Sequence, residues 1–197
     1  STLRTPGILL QTNNNIHKQS TRSTDKTQIK DRDEFERKLS SLDFDFGPMY
    51  WQNTRVFVPK NYKNHQNYPR MNLVIEMRAV NRPAKYELVC KRHIEDSGVT
   101  IVHSTQVRDY AEAANILLQL GFELQAEVPR RRADVRINEK TVVYLDRIDT
   151  LNEDFVKIEV ELDDGESVQL AQQELESLLN NFGLGEMNRV KETYAEL

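Results

Sequence analysis

Apolar and polar residues alternate along much of the chain, which is the pattern of β-strands with one covered face. From 155 to 162, for example, the even positions are apolar, and the odd positions between them are Lys157, Glu159 and Glu161. The same period of two predicts about eight strands, at 22–30, 52–59, 73–80, 86–91, 99–108, 127–137, 141–148 and 155–162. Short connections at 138–140 and 149–154 indicate that neighbouring strands run antiparallel.

Four other segments have the period of amphipathic helices. They cover 32–42, 110–120, the stretch between Ser167 and Gly183, and 188–197. The first two begin with an aspartate followed three residues later by a glutamate, which is typical of a capped helix start. Gly121 and Gly183 follow the second and third segments as helix stops. The third segment carries a stripe of alanine and leucine that needs a covering partner.

Charged residues occupy one face of several predicted strands. In 128–138, positions 130, 132, 134 and 136 are charged, whereas positions 133, 135 and 137 on the other face are apolar. An ordinary sheet would expose such charged faces to solvent, and for a single strand this alternative stays open. Since the helices also have apolar faces to cover, we expect the charged faces to line an enclosed space. The predicted fold is therefore α+β, an eight-stranded antiparallel closed barrel, or tunnel, with helices packed outside.

Charge is unevenly distributed along the 197 residues. The net charge of −4 makes nucleic acid an unlikely partner, because such partners usually meet a basic protein surface. Residues 1–30 hold five basic residues against Asp25, whereas 151–188 hold ten acidic residues against Lys157. Cations can hold an anion and carboxylates can hold a metal, so this segregation suits a polyanion bound with a divalent cation. The alternative is that the two segments form solvent-exposed faces that differ in charge without forming a binding site.

Length and composition also predict the organisation and location of the protein. The chain is long enough for one core, and we predict a flexible basic polar arm over 1–20 and a single domain over 21–197. No apolar stretch approaches the roughly 18 to 20 residues that span a bilayer, and we expect no membrane partner. Cys90 is the single cysteine, which indicates a reducing, cytoplasmic location.

Three segments resemble a known family when they are taken in order. They are AEAANILLQLGF (111–122), TVVYLDRIDTLNEDFVKIEVEL (141–162) and NNFGLGEMNRVKETYAEL (180–197). Their order and spacing are similar to those of the CYTH superfamily of triphosphate tunnel proteins, which includes class IV adenylyl cyclases and thiamine triphosphatases. The resemblance covers about 22–197. It implies an eight-stranded antiparallel tunnel in which inward Lys and Arg bind a triphosphate and inward carboxylates bind Mg or Mn.

The resemblance also implies site residues, which are assigned by position. The phosphate-binding candidates are Lys26, Arg78, Lys91, Arg130 and Arg132, and the metal-binding candidates are Asp146, Glu159 and Glu161. These residue types suit the chemistry, because a guanidinium grips phosphate oxygens in a bidentate way and carboxylate oxygens are ligands that Mg and Mn prefer. A surface ion pair is the alternative for each of them. Neither a catalytic residue nor an oligomeric state is predicted.

The chain departs from the family pattern at several carboxylates. The N-terminal Glu-x-Glu-x-Lys motif of the family falls at Arg22-x-Thr24-x-Lys26, where only the lysine is kept. The first Glu of a Glu-Ile-Glu motif is replaced by Lys157, and His103 stands near a position where many members have Glu. Each loss removes ligand oxygens, so we expect weakened metal-dependent catalysis. Glu76 is a possible substitute ligand.

Three hypotheses of function follow. The first is a divergent tunnel that binds a triphosphate, a nucleotide or a polyphosphate, with metal-dependent chemistry weakened. The second is an active Mg- or Mn-dependent triphosphatase or adenylyl-cyclase-like enzyme. The third is a non-catalytic scaffold that contacts a partner protein through its basic N-terminal arm or its acidic C-terminal third.

Overall fold

The protein contains eight β-strands and three α-helices. The structure is a computed structural model that describes residues 17–61, 70–79, 81–94, 98–163, 166–185 and 189–197. The elements are β1 (His17–Ile29), α1 (Arg32–Ser40), β2 (Tyr50–Pro59), β3 (Arg70–Met77), β4 (Lys85–Ile94), β5 (Val99–Gln106), α2 (Tyr110–Gln119), β6 (Phe122–Arg136), β7 (Thr141–Ile148), β8 (Glu153–Leu162) and α3 (Val168–Asn181).

The eight strands close into a barrel in the order β1-β5-β4-β3-β2-β6-β7-β8. Every neighbouring pair is antiparallel. Strands β2 to β5 form one meander and β6 to β8 form another. The meanders meet directly where β2 pairs with β6, and β1 joins them on the other side by pairing with both β5 and β8. The predicted fold class, a closed antiparallel tunnel with outer helices, is confirmed.

The helices cover the apolar outer faces of the strands, as the alternation predicts. Val143 and Leu145 of β7 and Ile158 of β8 are completely buried beneath α1 and α3. A smaller cluster joins Leu117 of α2 to Leu73 of β3. Because the strand period is two, burying these residues outside turns their neighbours toward the barrel interior, which we call the lumen.

Local signals explain where the helices begin and end. The Asp31 carboxylate accepts a hydrogen bond from the Glu34 amide at 2.9 Å, and Asp109 does the same for Glu112 at 2.9 Å. These N-caps satisfy backbone donors that have no partner inside the helix. Gly121 follows the end of α2 with a φ of +87°, a conformation that favours glycine. None of the helices in the described ranges has the length and apolar character that crossing a bilayer requires.

The structure corrects one sequence-based expectation. The predicted helix over 188–197 is wrong for the described residues 189–197, which form a single bridge to β1 followed by a bend and a turn, and which we call the C-terminal strap. The Val190 amide donates to the Lys26 carbonyl at 2.8 Å, so pairing with β1 replaces helical hydrogen bonds. The predicted arm over 1–20 lies outside the described residues except for 17–20, which already belong to β1.

Candidate functional site

The inward faces of the strands and the C-terminal strap enclose a cavity of about 870 Å³. Positively charged side chains are the more numerous on its wall: Arg22, Lys26, Arg70, Arg78, Lys91, Arg130, Arg132, Arg136, Lys157, Arg189 and Lys191. The carboxylates on the wall are Asp25, Glu76, Glu87, Asp134, Glu159 and Glu192. The tunnel therefore encloses a surplus of positive charge, although the whole chain is acidic.

The five candidates for phosphate binding all lie on this wall, although they come from four parts of the chain. They are Lys26 on β1, Arg78 just beyond β3, Lys91 on β4, and Arg130 and Arg132 on β6. The metal-binding candidates are more scattered. Glu159 lies on the wall, whereas Asp146 is completely buried and Glu161 lies outside the cavity. His103 also lies outside it, because its neighbours Val102 and Ser104 face the lumen.

Asp146 is held by two partners beneath the cavity wall. The Arg132 guanidinium donates Nε and Nη2 to the two carboxylate oxygens, each at 2.6 Å, and the Tyr194 hydroxyl donates to Oδ2 at 2.9 Å. Burial alone would raise the pKa of Asp146, but the charge and hydrogen bonds of Arg132 hold it below its usual value. Both oxygens of this carboxylate are therefore already engaged.

Glu159 is held between two cations in a similar way. Its carboxylate accepts a hydrogen bond from Arg22 at 3.1 Å and another from Lys157. Although burial opposes ionisation, the charges of Lys157 and Arg22 keep the pKa of Glu159 well below its usual value. Burial lowers the pKa of the Lys157 ammonium, but Glu159 counteracts that effect.

The described residues do not fit a bound Mg or Mn ion. In the described ranges, no group of three or more His, Cys, Asp or Glu side chains is arranged to hold a metal. Asp146 and Glu159 lie close to guanidinium and ammonium groups that would repel a metal cation. Glu76, the possible substitute, accepts a hydrogen bond from Arg78 at 2.6 Å. We therefore assign no chemical step to a metal.

Two cations on the wall are not neutralised in this way. Arg130 donates to the Gln52 amide oxygen and to the Thr54 hydroxyl, each at 2.8 Å, and both partners are uncharged. Burial and the neighbouring Arg132 lower the pKa of Arg130 to about 10. Burial and the charge of Lys157 lower the pKa of Lys91 to about 7. Among the described residues, neither Lys91 nor Arg130 has a carboxylate at ion-pair distance.

The remaining two candidates lie toward opposite ends of the tunnel. Arg78 forms ion pairs with Glu76 at 2.6 Å and Asp134 at 3.3 Å, and its guanidinium carbon lies 3.9 Å from the centre of the Tyr50 ring. Lys26 donates to the Glu192 carbonyl of the strap, and burial together with Lys157 lowers its pKa to about 8.

Sequence reasoning missed several residues that organise the wall. Gln52 and Thr54 hold Arg130, and the Tyr144 ring lies 4.2 Å from the Arg132 guanidinium. The inward orientation of these three residues could have been predicted, because each is an even number of positions from an inward residue on the same strand. Tyr194 carried no such signal, since it lies in the strap.

The fold and the site together define a β-tunnel protein with a cation-rich lumen. The chain belongs to the CYTH family, because the CYTH domain matches residues 21–194 of the sequence. No protein with a curated description matches the chain in sequence.

Three solved structures have a similar fold at low sequence identity. A Pyrococcus horikoshii protein is 20% identical, with a TM-score of 0.72, and the match covers 89% of this chain and 98% of that one. A proposed adenylate cyclase of Vibrio parahaemolyticus is 16% identical, with a TM-score of 0.74, over 90% and 97%. A proposed adenylyl cyclase of Hippeastrum, which has a dominant triphosphatase activity, is 13% identical, with a TM-score of 0.58, over 89% and 92%.

Proposed function

We propose that the tunnel binds a triphosphate-type ligand, such as a nucleotide or a polyphosphate, through inward Arg and Lys side chains. One observation carries this proposal. Lys91 and Arg130 face the lumen without a carboxylate partner among the described residues. A partly desolvated cation that lacks a counter-ion is unfavourable, and a phosphate chain would supply several negative oxygens at once.

The relatives support the same class of ligand. The Hippeastrum protein has a triphosphatase activity, and the proteins from Hippeastrum and Vibrio are proposed adenylyl cyclases. Within the tunnel, Arg130 would contribute its planar guanidinium and Lys91 a compact ammonium group. Gln52 and Thr54 orient Arg130 without contributing a negative charge, so its guanidinium is held in place and can still bind an anion.

We also propose that metal-dependent catalysis is weakened in this tunnel. Two of the three carboxylates that the family resemblance assigns to a metal are bonded to cations of the chain itself, in the Arg132–Asp146 and Lys157–Glu159 pairs. These side-chain cations would neutralise part of the negative charge of a bound phosphate, as a metal ion otherwise does. An active metal-dependent triphosphatase or cyclase is the second candidate, and it is favoured by the activity of the Hippeastrum protein.

A ligand titration tests both parts of the proposal. Thermal shift and calorimetry would be recorded with tripolyphosphate and with ATP, each with and without Mn. We expect either anion alone to stabilise the protein, and we expect Lys91→Gln and Arg130→Gln each to weaken binding by at least about tenfold, or 1.4 kcal/mol.

The matched control is Arg55→Gln, because Arg55 lies on the outer face of β2 and pairs there with Glu127 at 2.6 Å. This variant should bind as the parent does. The absence of binding by both anions would contradict the proposal and favour a protein-interaction scaffold. Rapid turnover that requires Mn would establish the second candidate instead.

A further inference from the structure

Basic side chains of the protein hold the buried carboxylates of the tunnel. Among the described residues, the buried acidic side chains are Asp146 and Glu159. Arg132 donates two hydrogen bonds to Asp146, each at 2.6 Å. Glu159 accepts one hydrogen bond from Arg22 of β1 at 3.1 Å and another from Lys157 of its own strand. Both carboxylates are therefore neutralised by the protein itself, before any ligand enters.

Lys157 determines what can approach Glu159. Its ammonium group is bonded to the Glu159 carboxylate and lies 5.7 Å from the centre of the Tyr144 ring. In the register of β1 and β8, Lys157 lies directly opposite Lys26, so two lysines line the same part of the wall. A divalent cation that bound Glu159 would have to displace this ammonium group and lie beside Arg22, and like charges repel strongly in a partly desolvated site.

The whole wall carries a surplus of positive charge that favours a ligand without a metal. Among the described residues, eleven Lys and Arg side chains face six Asp and Glu side chains. ATP has about four negative charges near neutral pH, because each internal phosphate contributes one and the terminal phosphate nearly two. A chelated divalent cation offsets part of this charge, and it also occupies phosphate oxygens that Arg and Lys would otherwise bond. Both effects weaken the attraction of the tunnel for a metal complex.

We infer that the tunnel binds the metal-free form of its phosphate ligand and rejects the complex with a divalent cation, and that Lys157 is the residue that determines this preference. The inference rests on the proposed function and adds the form in which the ligand binds. It also gives Mg a regulatory effect on the site. Mg would lower the occupancy of the tunnel by chelating the ligand in solution, since only the free anion drives binding.

Calorimetry with two forms of ATP tests this inference on the full chain. ATP would be titrated with EDTA present and with excess Mg at the same ionic strength. The chromium(III) complex of ATP, whose metal does not exchange during the measurement, shows whether a metal complex binds intact. We expect free ATP to bind at least about tenfold more tightly than either metal complex, a difference of 1.4 kcal/mol. Equal or tighter binding of the metal complexes would overturn the inference, while binding of free ATP would still support the proposed function.

Lys157→Gln tests the assigned residue. Glu159 keeps Arg22 as a partner in this variant, so we expect the variant to fold. Free ATP should bind more weakly because an ammonium group is lost, whereas the Mg complex loses less because Glu159 is partly released. The ratio of the two dissociation constants should therefore narrow by at least about threefold. A ratio that stays as in the parent would overturn the assignment to Lys157.

Lys140→Gln is the matched control. Lys140 lies outside the cavity and pairs with Glu166 at 2.9 Å, so its replacement should leave both dissociation constants unchanged. The comparison of free and metal-bound ATP in the parent needs no variant, and it decides the inference whatever the stability of Lys157→Gln. Failure of the parent to bind either free ATP or tripolyphosphate would remove the proposed function itself, so the two failures are distinguishable.

Discussion

The charge state of Lys91 depends on its position among other cations. Burial disfavours its ammonium form, and the charge of Lys157 adds to this effect, so its pKa falls to about 7. A bound polyanion would offset the repulsion from Lys157, so Lys91 would regain its proton. Under the proposed function, Lys91 would thus link anion binding to proton uptake near neutral pH.

We predict that tripolyphosphate binding at pH values above about 7 is accompanied by proton uptake. Lys91 is then largely neutral in the free protein and would become an ammonium beside the anion. Calorimetry in buffers of different ionisation enthalpy counts the protons. Lys91→Arg is the control, because a guanidinium stays charged, and it should take up fewer protons than the parent. Equal uptake in the two proteins would show that another group is responsible.

Asp146→Asn should destabilise the protein by about 3–5 kcal/mol, because it leaves the buried Arg132 charge without its carboxylate. The matched control is Asp149→Asn, since Asp149, the residue that follows β7, pairs with the exposed Arg131 of β6 at 3.7 Å. An exposed pair contributes at most about 1 kcal/mol. Urea unfolding of both variants measures the difference, and similar losses would contradict a special role for the buried pair.

For single residues, the sequence predicts which side chains face inward but not which partners they bond to. The alternation along β6 places Arg130 and Arg132 on one face because side chains change sides at every residue. The partners of Asp146 follow no such rule. Arg132 is 14 positions away and Tyr194 is 48, and their meeting depends on the barrel and on the path of the strap.

Among the elements, the helix α3 depends on tertiary packing. It covers the outer faces of β1 and β8 through a buried stripe that includes Leu175 and Leu179. An isolated helix of 14 residues is marginal in water. The contact with the barrel therefore supplies most of its stability, which a pair of leucine variants can measure.

Leu179→Ala should lower the free energy of unfolding by about 2–5 kcal/mol, because it leaves a cavity between α3 and the barrel. Leu170→Ala on the same helix should change it by no more than about 0.5 kcal/mol. The two leucines have the same chemistry and differ in exposure, which is 1% for Leu179 and 59% for Leu170. Chemical denaturation compares them directly, and equal effects would refute the packing argument.

The elements also show where sequence patterns mislead. The capped starts of α1 and α2 are local signals, so their prediction needs no tertiary information. The strap was predicted as a helix because Val190, Tyr194 and Leu197 are spaced by four and three residues. Its Val190 amide pairs with Lys26, more than 160 positions earlier in the chain, and such a distant partner has no local signature.

For the whole molecule, the depressed lysine pKa values affect the dependence of stability on pH. Lys91, with a pKa of about 7, and Lys26, with a pKa of about 8, are both well below the usual 10.5. Above these values the unfolded chain retains protons that the folded lysines have lost. Stability therefore rises with pH in this range. The rise should weaken above pH 9.0, because burial raises the pKa of the Cys90 thiol above that value and the unfolded chain then loses a proton that the folded thiol keeps.

We predict that the melting temperature of the ligand-free protein rises from pH 7 toward pH 9, and that excess tripolyphosphate reduces this slope. An anion that binds the folded state should stabilise it most where the lysines are protonated. Differential scanning calorimetry across this range gives both curves. Lys91→Gln should flatten the ligand-free curve, and a falling curve in the parent would show that the lumen lysines are charged at pH 9.

The position of β1 between β5 and β8 has a consequence for how the chain can be divided. A fragment that ends after β5 would lack β6 and β8. Strands β1 and β2 would then be the two edge strands of the sheet, and both would present unpaired backbone amides and carbonyls. Such edges invite intermolecular strand pairing and aggregation. Closure of the ring therefore waits until β8 has been synthesised, and expression of either meander alone should yield insoluble material.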